Sequence, residues 1–295
     1  MHFLRLSAIS GMFIALGAFS FAPSLVPRDE ILPGGPPKDG IPALTRPAIE
    51  SAAQANRWLD DSDMILGIEM NKQSRAYPLR ILNWHEIAND RIAGKKIVIT
   101  YCPLCGSGMA FDSDDEFAVS GLLYQSDVLL YDRKTETLWS QLMMRAVAGI
   151  RSGETLKTLP VTHTTWRAWR NLHPETTVLS RHTGYRRDYS RDPYAGYAQN
   201  PALIFPVRHQ DERLHAKTWV IGVETAHAAR AWKIDDIRKL GELNETWNGQ
   251  KIVIRYQNEA VTIRDQASGQ QLNSVVLYWF AWAAFHPQTS LFMPR

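Results

Sequence analysis

Charge of either sign is not in excess in this chain. Its 33 basic residues stand against 30 acidic ones, a formal +3, too near balance to argue for a nucleic-acid partner. The short signatures of several common chemistries are also missing. The sequence has no Gly-rich phosphate loop, no His-Glu-x-x-His and no Gly-x-Ser-x-Gly, which removes the usual routes to phosphate binding, metalloprotease and serine-hydrolase activity. Cysteine is nearly absent: 295 residues hold two, Cys102 and Cys105. What remains is ordinary globular composition, 45% apolar and 21% charged, long enough to bury a sizeable core as one large domain or two. Ten tryptophans are a high number, and core packing is their commonest use.

Both cysteines fall in one stretch, Lys95 to Ser113. A β-branched run (Ile97, Val98, Ile99, Thr100) leads to Cys-Pro-Leu-Cys, then Gly106-Ser107-Gly108, then Met109, Ala110 and Phe111. Two strands joined by a Gly-rich turn predict a hairpin with the thiols at its tip. Sulfurs two residues apart at a strand end can turn toward one point, a geometry suited to chelating a metal ion or closing a small disulfide.

Residues 1–22 read as a signal peptide or membrane anchor, with His2 and Arg5 ahead of an apolar run from Leu6 to Ala22. The expected location is periplasmic or secreted, with anchoring to the inner membrane only through this segment. Residues 23–48, rich in Pro and Gly, read as an extended linker. In an oxidising compartment two neighbouring thiols form a disulfide unless a metal or a reductant holds them apart.

The rest of the chain contains an internal likeness. Gly67 to Leu82 resembles Gly222 to Ile237 at an offset of 155, and the same offset places Lys96 to Ile99 on Lys251 to Ile254 and Tyr101 on Tyr256. Trp169-to-Leu179 resembles Trp282-to-Phe292 at an offset of 113. The expected fold is therefore α+β: two pseudo-repeated, mostly antiparallel β units with short helices, residues 49–198 and 199–295, the first carrying an insertion. The second unit has Gln257 and Ala260 where the first has its thiols. After the insertion comes a polar, aromatic-rich loop, Ser180 to Tyr197, whose Arg186, Arg187, Asp188, Tyr189 and Tyr194 form a candidate substrate loop.

The motifs AYPLRILNWHEIAND, TYCPLCGSGMAFD, SGLLYQSDVLLYDRKTETLWSQL, LPVTHTTWRAWRNLHPETTVLS and GYRRDYSRDPYAGY together resemble the bacterial domain-of-unknown-function family numbered 3179. The resemblance covers roughly residues 55 to 295, with five motifs in the expected order. It implies an envelope or secreted location and no established activity.

Three readings of the dithiol follow from the residues. The first is a metal site. Cys-Pro-Leu-Cys-Gly resembles one knuckle of a rubredoxin-like or zinc-ribbon site, in which the Gly after the second Cys is left-handed. With one knuckle, further ligands must come from elsewhere, and His85, His163, His173 and His182 are the supply. The ligand set expected is Cys102, Cys105, His85 and His163, holding zinc or copper. His173 has a counterpart in His286 and reads as structural. The second reading is thiol–disulfide redox, against which stands the lack of a helix N-terminus at the first Cys. The third is a non-enzymatic module with a structural disulfide, binding a small molecule or an envelope protein. Asp112, Asp127 and Asp132 can serve as acid or base, but turn chemistry explains them more simply.

Overall fold

A computed structural model describes residues 19–294. Most of residues 1–22, the expected targeting segment, lie outside that range. Among the described residues no helix is long and apolar enough to cross a membrane.

The local elements follow from apolar spacing. The strand Lys95–Cys102 sends Ile97, Ile99 and Tyr101 to one cluster, with Leu66, Tyr77 and Leu82, and Val98 and Cys102 to another, with Phe111, Leu129 and Trp139. Period-two alternation into two cores explains why the run is apolar on both faces. It also fixes the direction of Cys102, toward the larger core. The partner strand Ser107–Asp112 pairs antiparallel, with Cys102 opposite Ser107. The hairpin expected from the sequence is present, with a four-residue tip from Pro103 to Gly106.

The expected α+β fold of two pseudo-repeated units is overturned. The described residues form five separate sheets, a five-bladed β-propeller that is mostly β with five short helices. Among the described residues no helix exceeds seven residues. One hydrophobic cluster also joins Phe111 and Leu129 to Val220, Leu277 and Trp279, so the two stretches share a core. The internal likeness is real as local geometry. A Cβ on Gly67 would lie 2.4 Å from the Trp169 ring, and one on Gly222 2.4 Å from Trp282. The indoles of Trp169 and Trp282 donate to Thr176 (2.9 Å) and Thr289 (2.8 Å). His173 and His286 stack on these indoles at 4.0 Å and end their helices.

The Pro/Gly-rich segment is not a free tether. Ile31–Pro33 pairs with Leu122–Tyr124, and Leu44–Thr45 pairs with Ala88 and Asn89. Val26, Ile31, Ala43 and Leu44 are buried. The insertion supplies strands Phe117–Tyr124, Asp127–Asp132, Leu138–Ser140 and Arg145–Ala148, which with Ile31–Pro33 form one five-stranded sheet.

Candidate functional site

Two hairpin tips meet at the site. The first carries the cysteines. Gly106 has φ +67°, the left-handed conformation expected after the second Cys, and a Cβ there would lie 2.6 Å from the Trp219 ring. The tip is pinned on one side by the Tyr278 N–H, which donates to the Cys105 carbonyl at 2.8 Å. On the other side Gln141 Nε2 donates to Thr100 Oγ1 (2.8 Å) and the Ser107 carbonyl (3.3 Å), while Ser107 Oγ donates to Gln141 Oε1 (2.5 Å). The thiols are free and buried.

The second tip belongs to the insertion. Strands Phe117–Tyr124 and Asp127–Asp132 are joined by Gln125 (φ +51°) and Ser126 (φ +65°), two left-handed residues in a two-residue turn. Gln125 is tied down at both ends of its amide, donating to Glu30 (2.8 Å) and accepting from the Arg208 N–H (2.6 Å). The Ser126 carbonyl lies 3.4 Å from Cys105 Sγ and 4.0 Å from Cys102 Sγ.

Asp127 follows directly. One ligand atom each from Cys102, Cys105 and Asp127 lie within 4.8 Å of one another, all three residues buried. Asp127 Oδ2 accepts from the Leu142 N–H (3.0 Å) and Ser140 Oγ (3.3 Å), whereas Oδ1 has no hydrogen-bond partner among the described residues. An orphan carboxylate oxygen beside two thiols is the arrangement a cation would complete. Burial pushes the Asp127 carboxyl up to about 7. Burial, and then the Cys102 thiol and Asp127, push the Cys105 thiol well up. Burial thus favours the neutral forms of the Asp127 carboxyl and the Cys105 thiol, and a bound metal would displace their protons.

A second buried carboxyl, Glu86, stands nearby. It ends the helix Leu79–His85 with φ +57°, and its carbonyl accepts the Tyr101 N–H at 2.7 Å. Burial pushes it up to about 8, with the negative charge of Asp127 adding to the rise. Tyr194 Oη donates to Glu86 Oε1 at 3.4 Å. A small cavity of about 150 Å³, lined in part by Tyr101, Pro103, Tyr194, Tyr197 and Tyr278, borders the tip. Burial, with Asp192 and then Cys105 adding, pushes the Tyr278 phenol up to about 12.

The histidines expected as ligands are not in the cluster. His85 Nδ1 lies 2.7 Å from the Pro42 carbonyl, which only accepts, so Nδ1 carries the proton and Nε2 accepts from Tyr189 Oη at 2.7 Å. Both ring nitrogens are occupied. His163 is buried between Tyr101 and Trp219, ring centroids 6.4 and 5.6 Å away, and is not among the residues grouped with the sulfurs. Of the other two, His173 caps its helix and His182 is exposed within the polar loop.

The loop Ser180–Tyr197 folds over the helix Leu79–His85. Asn83 donates to Asp192 (2.9 Å) and Trp84 to the Arg191 carbonyl (3.1 Å), and Arg187 lies 5.8 Å over the Trp84 ring. Tyr189 reaches His85 and Tyr194 reaches Glu86, whereas Asp188 bonds Ser190 at 2.5 Å and Arg186 is exposed. Asp112 pairs with Lys157 and Asp132 holds the Thr135 turn, so turn chemistry and surface pairing account for these two and not for Asp127. Its sequence signal was slight: an acid that opens an apolar run directly after two turn residues.

The profile of the family described as "Protein of unknown function (DUF3179)" matches residues 38–289, and the chain belongs to that family. Comparison with curated proteins and with solved structures gave no match.

Proposed function

We propose that Cys102, Cys105 and Asp127 form a metal site in an extracytoplasmic protein, and that zinc is the ion it takes. The observation that carries this reading is the unpartnered Asp127 oxygen beside two unoxidised thiols. Two thiolates and a carboxylate suit zinc, a borderline ion that accepts both donors. Copper(I), the other ion expected from the sequence, prefers soft ligands throughout, and a carboxylate in place of imidazole counts against it. Three protein ligands leave one position for water or substrate, the pattern of catalytic rather than structural zinc. A thiol–disulfide role is less well supported. Cys105 is pushed away from the thiolate that exchange requires, and a four-residue turn, not a helix N-terminus, surrounds the sulfurs. In an oxidising compartment, a bound ion would also keep the pair from closing. Elemental analysis of the purified protein tests the proposal. About one equivalent of zinc, lost in Cys102→Ser and in Asp127→Ala, supports it; a metal-free protein, or one whose metal survives both changes, overturns it.

A further inference from the structure

We infer that the cleft beside the cysteine hairpin binds a small organic anion, a carboxylate carried on a flat, ring-like body. The inference goes beyond the metal reading and does not depend on it. The cleft is a cavity of about 1000 Å³ between the polar loop and the strand that carries Trp219. Its walls include the rings of Tyr101, Tyr189, Trp219 and Tyr256, surfaces on which a planar group stacks. His163 lines it too. This imidazole is only 9% exposed, yet its Nδ1 has no hydrogen-bond partner among the described residues. A buried polar atom without a partner marks a place where something else completes the bond.

The charges of the cleft do not cancel. Arg80 is neutralised by Asp63, Arg238 by Asp235, and Glu259 by Arg167. Lys233 and Arg191 line the same cavity with no ion pair among the described residues. Lys217, 5% exposed, donates to the carbonyls of Tyr197, Asn200 and Ala202 at 2.7, 2.6 and 2.9 Å and meets no carboxylate. Of the lining acids, Asp192 is left to oppose them, and its carboxylate accepts from Asn83. A buried cation satisfied by carbonyl dipoles and by the Tyr197 ring, 3.4 Å below it, but by no carboxylate, keeps its field, and in a low-dielectric cleft that field favours an anion. Stacking walls, the unpaired lysines and a buried imidazole nitrogen without a partner together describe a ring carboxylate.

Titration of the full-length protein with benzoate, benzylamine and inorganic phosphate tests this, read by the ¹⁵N resonances of the His163 ring and by thermal midpoint. Benzoate is expected to move both signals and to bind more tightly than phosphate, while benzylamine leaves them unchanged. Lys233→Ala is expected to weaken benzoate about fivefold and His163→Phe about tenfold, with metal content and the midpoint without benzoate retained. A ring signal indifferent to benzoate, equal binding of phosphate or benzylamine, or affinity unaltered in both variants would overturn the inference. Metal content measured in the same samples separates its failure from failure of the metal site.

Discussion

Glu86 is the residue whose backbone most needs a reason. Its φ of +57° lies in the region that favours glycine, and at the matching helix end the residue is Gly241, whose carbonyl accepts the Tyr256 N–H as that of Glu86 accepts the Tyr101 N–H. A side chain in that conformation costs about 1 kcal/mol, and burying a carboxyl costs more. Both penalties place a protonated acid next to the sulfur cluster. The sign of its pH effect is fixed. The folded carboxyl titrates at about 8 against 4.5 unfolded. Below 4.5 both states hold the proton and Glu86 has no effect on stability. As pH rises from 4.5 to about 8 the unfolded chain releases it first, so stability falls across that window and then levels. In metal-free protein, Glu86→Gln removes this decline. Denaturant midpoints of the two proteins should therefore diverge with rising pH, the Gln variant becoming the more resistant; parallel profiles would rule out a buried neutral Glu86. Asp127 is raised in the same sense and is coupled to Glu86; removing the Glu86 charge eases its ionisation in the folded state, which adds to the divergence in the same direction.

Among elements, the hairpin turns set the site. Ser126 combines φ +65° with a buried hydroxyl that has no partner among the described residues, while its carbonyl faces the sulfurs. Ser126→Gly keeps the carbonyl and relieves both defects, and should raise stability by about 1 kcal/mol with metal content unchanged; a lower thermal midpoint would refute that account of the turn. Gly106→Ala should do the opposite, because its Cβ would enter the Trp219 ring. Gly222→Ala would place a methyl against Trp282 and should cost about 1–3 kcal/mol by overpacking, read as a shift in denaturant midpoint at constant slope.

These elements also show what the sequence could reveal. The strands Ala229–Lys233 and Ala260–Asp265 and the helix Ile234–Leu240 have the bounds that their apolar spacing and turn residues indicate. The strand Ile87–Ile92 follows directly on a helix, and Asn89 and Asp90 interrupt its apolar pattern, so the sequence does not mark it as a strand. Both are buried polar residues with distant partners: Asn89 bonds the backbone of Leu44 and Phe117, and Asp90 accepts from Tyr77 and Arg75. Only the folded chain supplies such partners. The second hairpin turns through two residues, Asn258 and Glu259, not four. Cys105 therefore sits in a lengthened tip with no counterpart, which a fixed offset of 155 concealed.

At the scale of the molecule, repeated local pieces did not predict the whole. Matching Gly–Trp contacts appear in two of the sheets, yet the large core draws on strands from both stretches and from the insertion. Contacts across that core are long-range and leave no periodic trace. The same limit hid the third member of the site. Histidines were favoured as ligands for their chemistry, but the insertion brings Asp127 to the sulfurs and leaves His85 bonded at both nitrogens.

The central claim concerns what those three side chains hold. X-ray absorption at the zinc edge of the purified protein reads the ligand shell directly. A zinc ion held by Cys102, Cys105 and Asp127 has two sulfurs at about 2.3 Å with oxygen at about 2.0–2.2 Å, the sulfur shell lost in Cys102→Ser. A shell of nitrogen and oxygen alone, or a protein without zinc whose cysteines are joined in a disulfide, would contradict it.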